Sequence, residues 1–139
     1  MTIAPLDRRA LRRADTRAEI VAAAWELAAA SGLAGISMRD LGDRVGMRAQ
    51  SVYSYFASKN EIYDAMFRQG YDEFIAWMDA SEPTGDALSR AQYLGHRFFV
   101  FCRANAVRYQ LLFLRTLPGF EPSPESYERA VIALDRLRS

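Results

Sequence analysis

Between residues 37 and 61, two helix-opening signals and one glycine are spaced so closely that only short helices fit between them. Ser37-Met38-Arg39-Asp40 has the polar residue and the following acid of a helix start, and Met38, Leu41 and Val45 repeat on the inward side of that helix. Gly46 supplies the turn, since glycine tolerates the left-handed backbone there. Residues 48–56 form a second short helix with Val52 and Phe56 inward, and Met47 completes the inward set. Ser58-Lys59-Asn60-Glu61 is a capping box that opens a third helix at once. In such an arrangement the first short helix braces the second and leaves the second's outer face free.

The rest of the chain is also read as helical. Thr16-Arg17-Ala18-Glu19 has the form of a capping box, and Ile20, Ala23, Ala24, Leu27 and Ala28 repeat behind it at helical spacing until Ser31-Gly32. The helix opened at Ser58 carries Ile62, Ala65, Met66, Gln69 and Phe74 roughly along one side. Glu82-Pro83-Thr84-Gly85 breaks the chain near its middle. Beyond it come helices over 86–104 and about 107–117, then a loop and a last helix opened by Ser123-Pro124, proline suiting a first turn. No strand pattern, internal repeat or low-complexity segment is visible.

With half of its residues hydrophobic and a quarter charged, the chain has the balance of a globular protein rather than a disordered one. No apolar run approaches the roughly 18 residues that span a bilayer, and no apolar stretch behind the N-terminal arginines makes a signal peptide. A single cysteine, Cys102, excludes an internal disulfide framework and suits a reducing compartment, so the expected location is the cytoplasm. One histidine and one cysteine give no metal-ligand spacing, no nucleophile is paired with a base, and neither a metal, a cofactor nor catalysis is expected.

The formal charge of +1 predicts no partner, but its distribution does. Within residues 8–17, Arg8, Arg9, Arg12, Arg13 and Arg17 stand against the single Asp15, and such an arm suits either phosphates or a solvated terminus. The outward face of the second short helix carries Arg48, Ala49, Gln50, Ser51, Tyr53, Ser54 and Tyr55. Arginine and glutamine read guanine and adenine edges, and hydroxyls suit phosphate oxygens. Lys59, the only lysine, sits where the next helix's free amides would help it hold a phosphate.

Residues 20–67 resemble the DNA-binding domain of tetracycline-repressor-type (TetR family) regulators. The resemblance is carried by Ile20, Ala24, Leu27, Ser31-Gly32-Leu33, Ser37 to Leu41, Gly46, Ser51-Val52-Tyr53-Ser54-Tyr55-Phe56 and Ser58 to Ile62. It implies an all-α fold with a basic arm over 1–15, a helix-turn-helix domain over 16–76 (the motif itself about 38–57) and a partial effector-binding and dimerisation domain over 77–139. It also implies DNA contacts from Arg39, Ser51, Tyr53, Tyr55 and Lys59, and the charge excess adds Arg12, Arg13 and Arg17 as a candidate backbone arm. Where relatives often have Ser-Lys-Gly, this chain has Arg48-Ala49-Gln50, which removes a phosphate contact and adds two candidate base readers.

The second half resembles the WHG type of C-terminal domain through Tyr109-Gln110-Leu111-Leu112-Phe113 and Leu117-Pro118-Gly119-Phe120-Glu121-Pro122-Ser123-Pro124. Trp77, Tyr93, His96, Phe99, Tyr109 and Phe113 are candidates to line an effector pocket, although at helical spacing they also suit an ordinary core. The stripe Tyr127, Val131, Leu134 and Leu137 finds no later partner, as in a shortened form or a core completed by another molecule. The expected function is a non-enzymatic, ligand-responsive repressor that binds a palindromic double-stranded DNA operator as a homodimer. The alternative is a shortened regulator that titrates a full-length partner.

Overall fold

The computed structural model describes residues 5–80, 82–114 and 116–138. Seven α-helices occur among them, with no strand: α1 (Pro5–Ser31), α2 (Met38–Val45), α3 (Ala49–Tyr53), α4 (Lys59–Asp79), α5 (Ala87–Ala104), α6 (Ala106–Phe113) and α7 (Pro124–Arg138). The chain divides into two compact units, Met1–Ile62 and Tyr63–Ser139, with the division falling inside α4.

In the first unit the apolar stripe of α1 forms the core as its spacing predicts, with Ile20, Ala24 and Ala28 almost wholly buried. The start of α1 is different. Thr16 lies in mid-helix and its hydroxyl donates to the Arg12 carbonyl at 3.0 Å, so the predicted capping box does not form there. Residues 5–15 are rich in arginine, alanine and leucine, which propagate a helix and override the local cap signal. Residues 1–4 of the expected arm lie outside the described residues.

The caps further on hold. The Ser37 hydroxyl accepts the Asp40 amide at 3.1 Å, and Gly46 closes α2 at φ 76°. At the start of α4 the Ser58 hydroxyl accepts the Glu61 amide at 3.3 Å. The Glu61 carboxylate reaches one residue further back than a capping box requires, taking the Ala57 amide at 2.7 Å.

The second unit is organised around α4. Phe74 is buried and meets Phe98, Phe101 and Phe113 edge-on at ring separations of 5.2–5.7 Å. Gly70 brings α4 against α6 so closely that a Cβ there would stand 3.0 Å from Leu112. On its polar side, Glu73 pairs with Arg108 of α6, and Asp72 and Asp79 pair with Arg129 and Arg136 of α7. The α6 helix ends at Phe113, short of its expected reach, because Leu114 turns extended.

A part-buried polar knot fixes the start of α7. Asp64 accepts the Ser123 amide at 2.7 Å and the hydroxyls of Ser123 and Ser126 at 2.9 Å each, and the Ser126 amide donates back to the Ser123 hydroxyl. Ser126 is 1% exposed and its hydroxyl also meets the Ser123 hydroxyl at 3.1 Å, so without Asp64 two hydroxyls and the Ser123 amide lose their common acceptor and only the contact between the hydroxyls remains. Asp64→Ala is therefore expected to destabilise the protein by about 2–3 kcal/mol in urea unfolding. A change below roughly 0.5 kcal/mol would mean that water replaces the carboxylate.

Candidate nucleic-acid interface

The positioning of α3 starts from a glycine that sequence reasoning passed over. Gly42 is buried in α2, and a Cβ built on it would lie 2.3 Å from the Met47 carbonyl oxygen. The Met47 amide in turn donates to the Gly42 carbonyl at 2.9 Å. The turn into α3 thus lies directly on the backbone of α2, an approach that only a residue without a side chain permits. The available signal was a glycine inside an otherwise regular helical pattern, which often marks a close packing contact.

The α3 helix has five residues and buries one of them, Val52. Phe56, just beyond its end, is also buried, as is Leu41 of α2, whereas Val45 and Met47 of the expected inward set are only half-buried. The outward set is displayed in part, and α3 ends at Tyr53 rather than running to residue 56. Arg48, Gln50, Ser51 and Tyr53 are exposed, Tyr53 by half its surface, while Ala49, Tyr55 and Lys59 are half-buried. Arg39 is exposed in the first turn of α2. The Ser54 hydroxyl turns back to the Ser51 carbonyl at 2.6 Å and is committed to closing the helix. These side chains offer guanidinium, amide, hydroxyl and ammonium groups from one short segment, a set able to address base edges and phosphates together.

The arm residues divide. Arg12 is exposed on α1. Arg13 instead donates to the Ser54 carbonyl at 2.7 Å and Arg17 to the Tyr55 carbonyl, so both reach the segment that follows α3. Their guanidinium groups also lie over rings, Arg13 over Tyr55 at 4.8 Å and Arg17 over Phe56 at 4.2 Å.

The second unit contains a cleft of about 560 Å³ between α4, α6, the following loop and α7. Phe67, Tyr71, Leu112, Phe113, Phe120 and Leu134 are among its walls, and Glu121 is one of its few polar lining residues. Of the six residues expected around a pocket, Phe113 alone lines this cleft. Tyr93, His96 and Phe99 are exposed on α5, and Tyr109 is half-buried against Phe113. Trp77 is locked to α5: its indole N–H donates to the Arg97 carbonyl at 2.9 Å, and the Arg97 guanidinium lies 3.7 Å over its ring. The Tyr71 hydroxyl donates to the Leu112 carbonyl at 2.9 Å, and burial, helped by Tyr127, pushes its pKa up to about 12. It is a neutral group in the wall. Among the described residues no cluster of His, Cys, Asp or Glu is placed to hold a metal, and no helix is long and apolar enough to cross a membrane.

Residues 20–66 match the family described as bacterial regulatory proteins, tetR family. The chain is 28% identical over 104 residues to the HTH-type transcriptional activator FasR of Mycolicibacterium smegmatis, covering 74% of this chain and 48% of that protein. It is 33% identical over 90 residues to the HTH-type transcriptional repressor KstR2 of Mycobacterium tuberculosis, covering 64% and 45%. The chain therefore spans about half the length of the curated relatives it matches. Among solved structures, that of the protein SCO4313, described as regulatory, superposes with a TM-score of 0.77 at 26% identity, covering 96% of this chain and 63% of the other. SCO0253, a TetR-family transcriptional regulator from Streptomyces coelicolor, has a TM-score of 0.57 at 22% identity over 88% of this chain and 69% of its own, a likeness of fold alone.

Proposed function

We propose that this chain, which belongs to the tetR family of bacterial regulatory proteins, is a cytoplasmic transcriptional regulator that binds a palindromic DNA operator as a homodimer and is released by a small apolar effector. The observation that carries this reading is the exposed face of α3, with Arg48, Gln50, Ser51 and Tyr53 outward and only Val52 buried. A helix so short and so polar on its outer side contributes little to a core, and its side chains suit the major groove. In this reading Arg48 and Gln50 address bases, while Arg39, Ser51, Tyr53, Tyr55 and Lys59 grip the backbone. Ala49 lets the helix approach closely.

The expected sign is repression, although the relatives include one protein named an activator and one named a repressor. The effector would enter the cleft of the second unit, whose walls favour an apolar molecule. Release then requires that the effector bind the DNA-incompetent state more tightly than the competent one. The half-exposed stripe Tyr127, Val131, Leu134 and Leu137 on α7 also lines this open cleft, so the same apolar face supports either an effector or association with another chain, and the latter includes the second reading, capture of a full-length partner.

Selection of a randomised duplex library on the purified chain, with its mass measured in the same sample, tests the proposal. An enriched palindrome bound by a dimer supports it. No enriched sequence together with a stable hetero-oligomer supports the second reading. On the selected duplex, Lys59→Ala is expected to weaken binding to all sequences and lower the salt slope by roughly one. Tyr53→Phe should weaken binding uniformly, and Gln50→Ala should change base preference. If all three leave binding unchanged, the assignment of α3 fails.

A further inference from the structure

Arg13 and Arg17 sit one helical turn apart on α1 and therefore share a face. Their targets are successive. Arg13 takes the Ser54 carbonyl and covers the Tyr55 ring; Arg17 takes the Tyr55 carbonyl and covers the Phe56 ring. Both carbonyls lie just past the last residue of α3, in the segment that leads to α4, and a guanidinium supplies each of them with a donor. A five-residue helix has too few internal hydrogen bonds to persist alone, so whatever holds its end determines its geometry.

We propose that Arg13 and Arg17 are positioning residues that clasp residues 54–56 and so set the spacing between Tyr53 and Lys59, rather than serving as phosphate ligands. The inference rests on the reading of α3 as the DNA-contacting helix. The clasped segment is the whole connection between Tyr53 and the cap of α4 except for Ala57. Each arginine uses two features that lysine lacks, a planar face for the ring and a fixed donor fork for the carbonyl. Charge alone does not replace it, and that separates a clasp from a phosphate contact, where lysine serves well.

The full chain and its variants Arg17→Ala, Arg17→Lys, Arg13→Ala and Arg13→Lys would be titrated against a short mixed-sequence DNA duplex over a range of salt. Amide exchange at residues 54–57 would be followed in the DNA-free protein, and circular dichroism would verify retained helix. For a clasp, alanine and lysine variants alike lose binding on the order of tenfold with an unchanged salt slope, and exchange at 54–57 quickens by a similar factor. Should Arg17→Ala fail to fold, the more exposed Arg13 pair carries the comparison. The proposal is overturned if alanine lowers the salt slope by about 0.9 while lysine restores both slope and affinity. Unchanged exchange with DNA binding intact overturns the clasp alone. A wild-type chain that binds no duplex overturns the DNA reading itself, while the exchange result still reports whether the clasp holds.

Discussion

Replacing Gly42 with alanine is expected to destabilise the first unit by about 3 kcal/mol or more, because the new methyl group meets a backbone oxygen rather than a movable side chain. The contact distance of 2.3 Å to the Met47 carbonyl cannot be relieved by a rotamer change. Either α2 must shift from the turn, breaking the Met47-to-Gly42 hydrogen bond, or the turn must move and carry α3 with it. At about 4–8 °C per kcal/mol for a domain of this size, the melting temperature should fall by roughly 12–24 °C. Gly95→Ala is the matched control. Gly95 lies inside α5, and a methyl group added there would have nothing within 4 Å, so alanine should be neutral or stabilise by about 0.5–1 kcal/mol. Equal melting temperatures for Gly42→Ala and wild type would show that α2 and the turn are not pressed together in solution.

The second large effect belongs to Phe74. Its ring is 1% exposed and is met edge-on by two rings from α5 and one from α6, as well as by Tyr71 of its own helix at 6.4 Å. Truncation to alanine removes the transfer free energy of the ring and leaves a hole that three helices cannot collapse around without losing other contacts. The expected loss is about 3–5 kcal/mol in urea unfolding. Because Phe74 also lines the cleft, Phe74→Ala should enlarge that cleft. Phe74→Leu, which keeps most of the apolar volume, should cost about half as much or less. A loss under roughly 1 kcal/mol for alanine would mean that Phe98 or Phe113 swings into the vacated space.

What could be read from the sequence was local. The Ser37 cap, the left-handed Gly46 and the Ser58 cap depend on residues three or four apart, and each is found where its spacing placed it. The exposed face of α3 followed from the same periodicity. Thr16 shows the limit of local reasoning: its capping signature is intact, yet strong helix formers upstream carry α1 through it. Gly42 was missed because its importance lies in a neighbouring backbone that no pattern within α2 reveals. The arginines of α1 displayed their charge in the sequence but not its destination, which lies about forty residues away in the chain. The aromatic residues were hardest to sort. Periodicity indicates which side of a helix is apolar, but not whether that side meets another helix, as Trp77 meets Arg97, or an opening, as Tyr71 and Phe113 do.

The division of labour within α3 has a practical consequence. Its attachment is carried by Val52, by the Gly42 crossing before it, and by Phe56 and the backbone that Arg13 and Arg17 reach after it, and none of these lies at positions 48, 50, 51 or 53. Those four side chains can be varied together without opening a cavity or stranding a buried polar group. A library randomised at these positions should consist largely of folded members, making this short helix a replaceable reading head on a fixed mount.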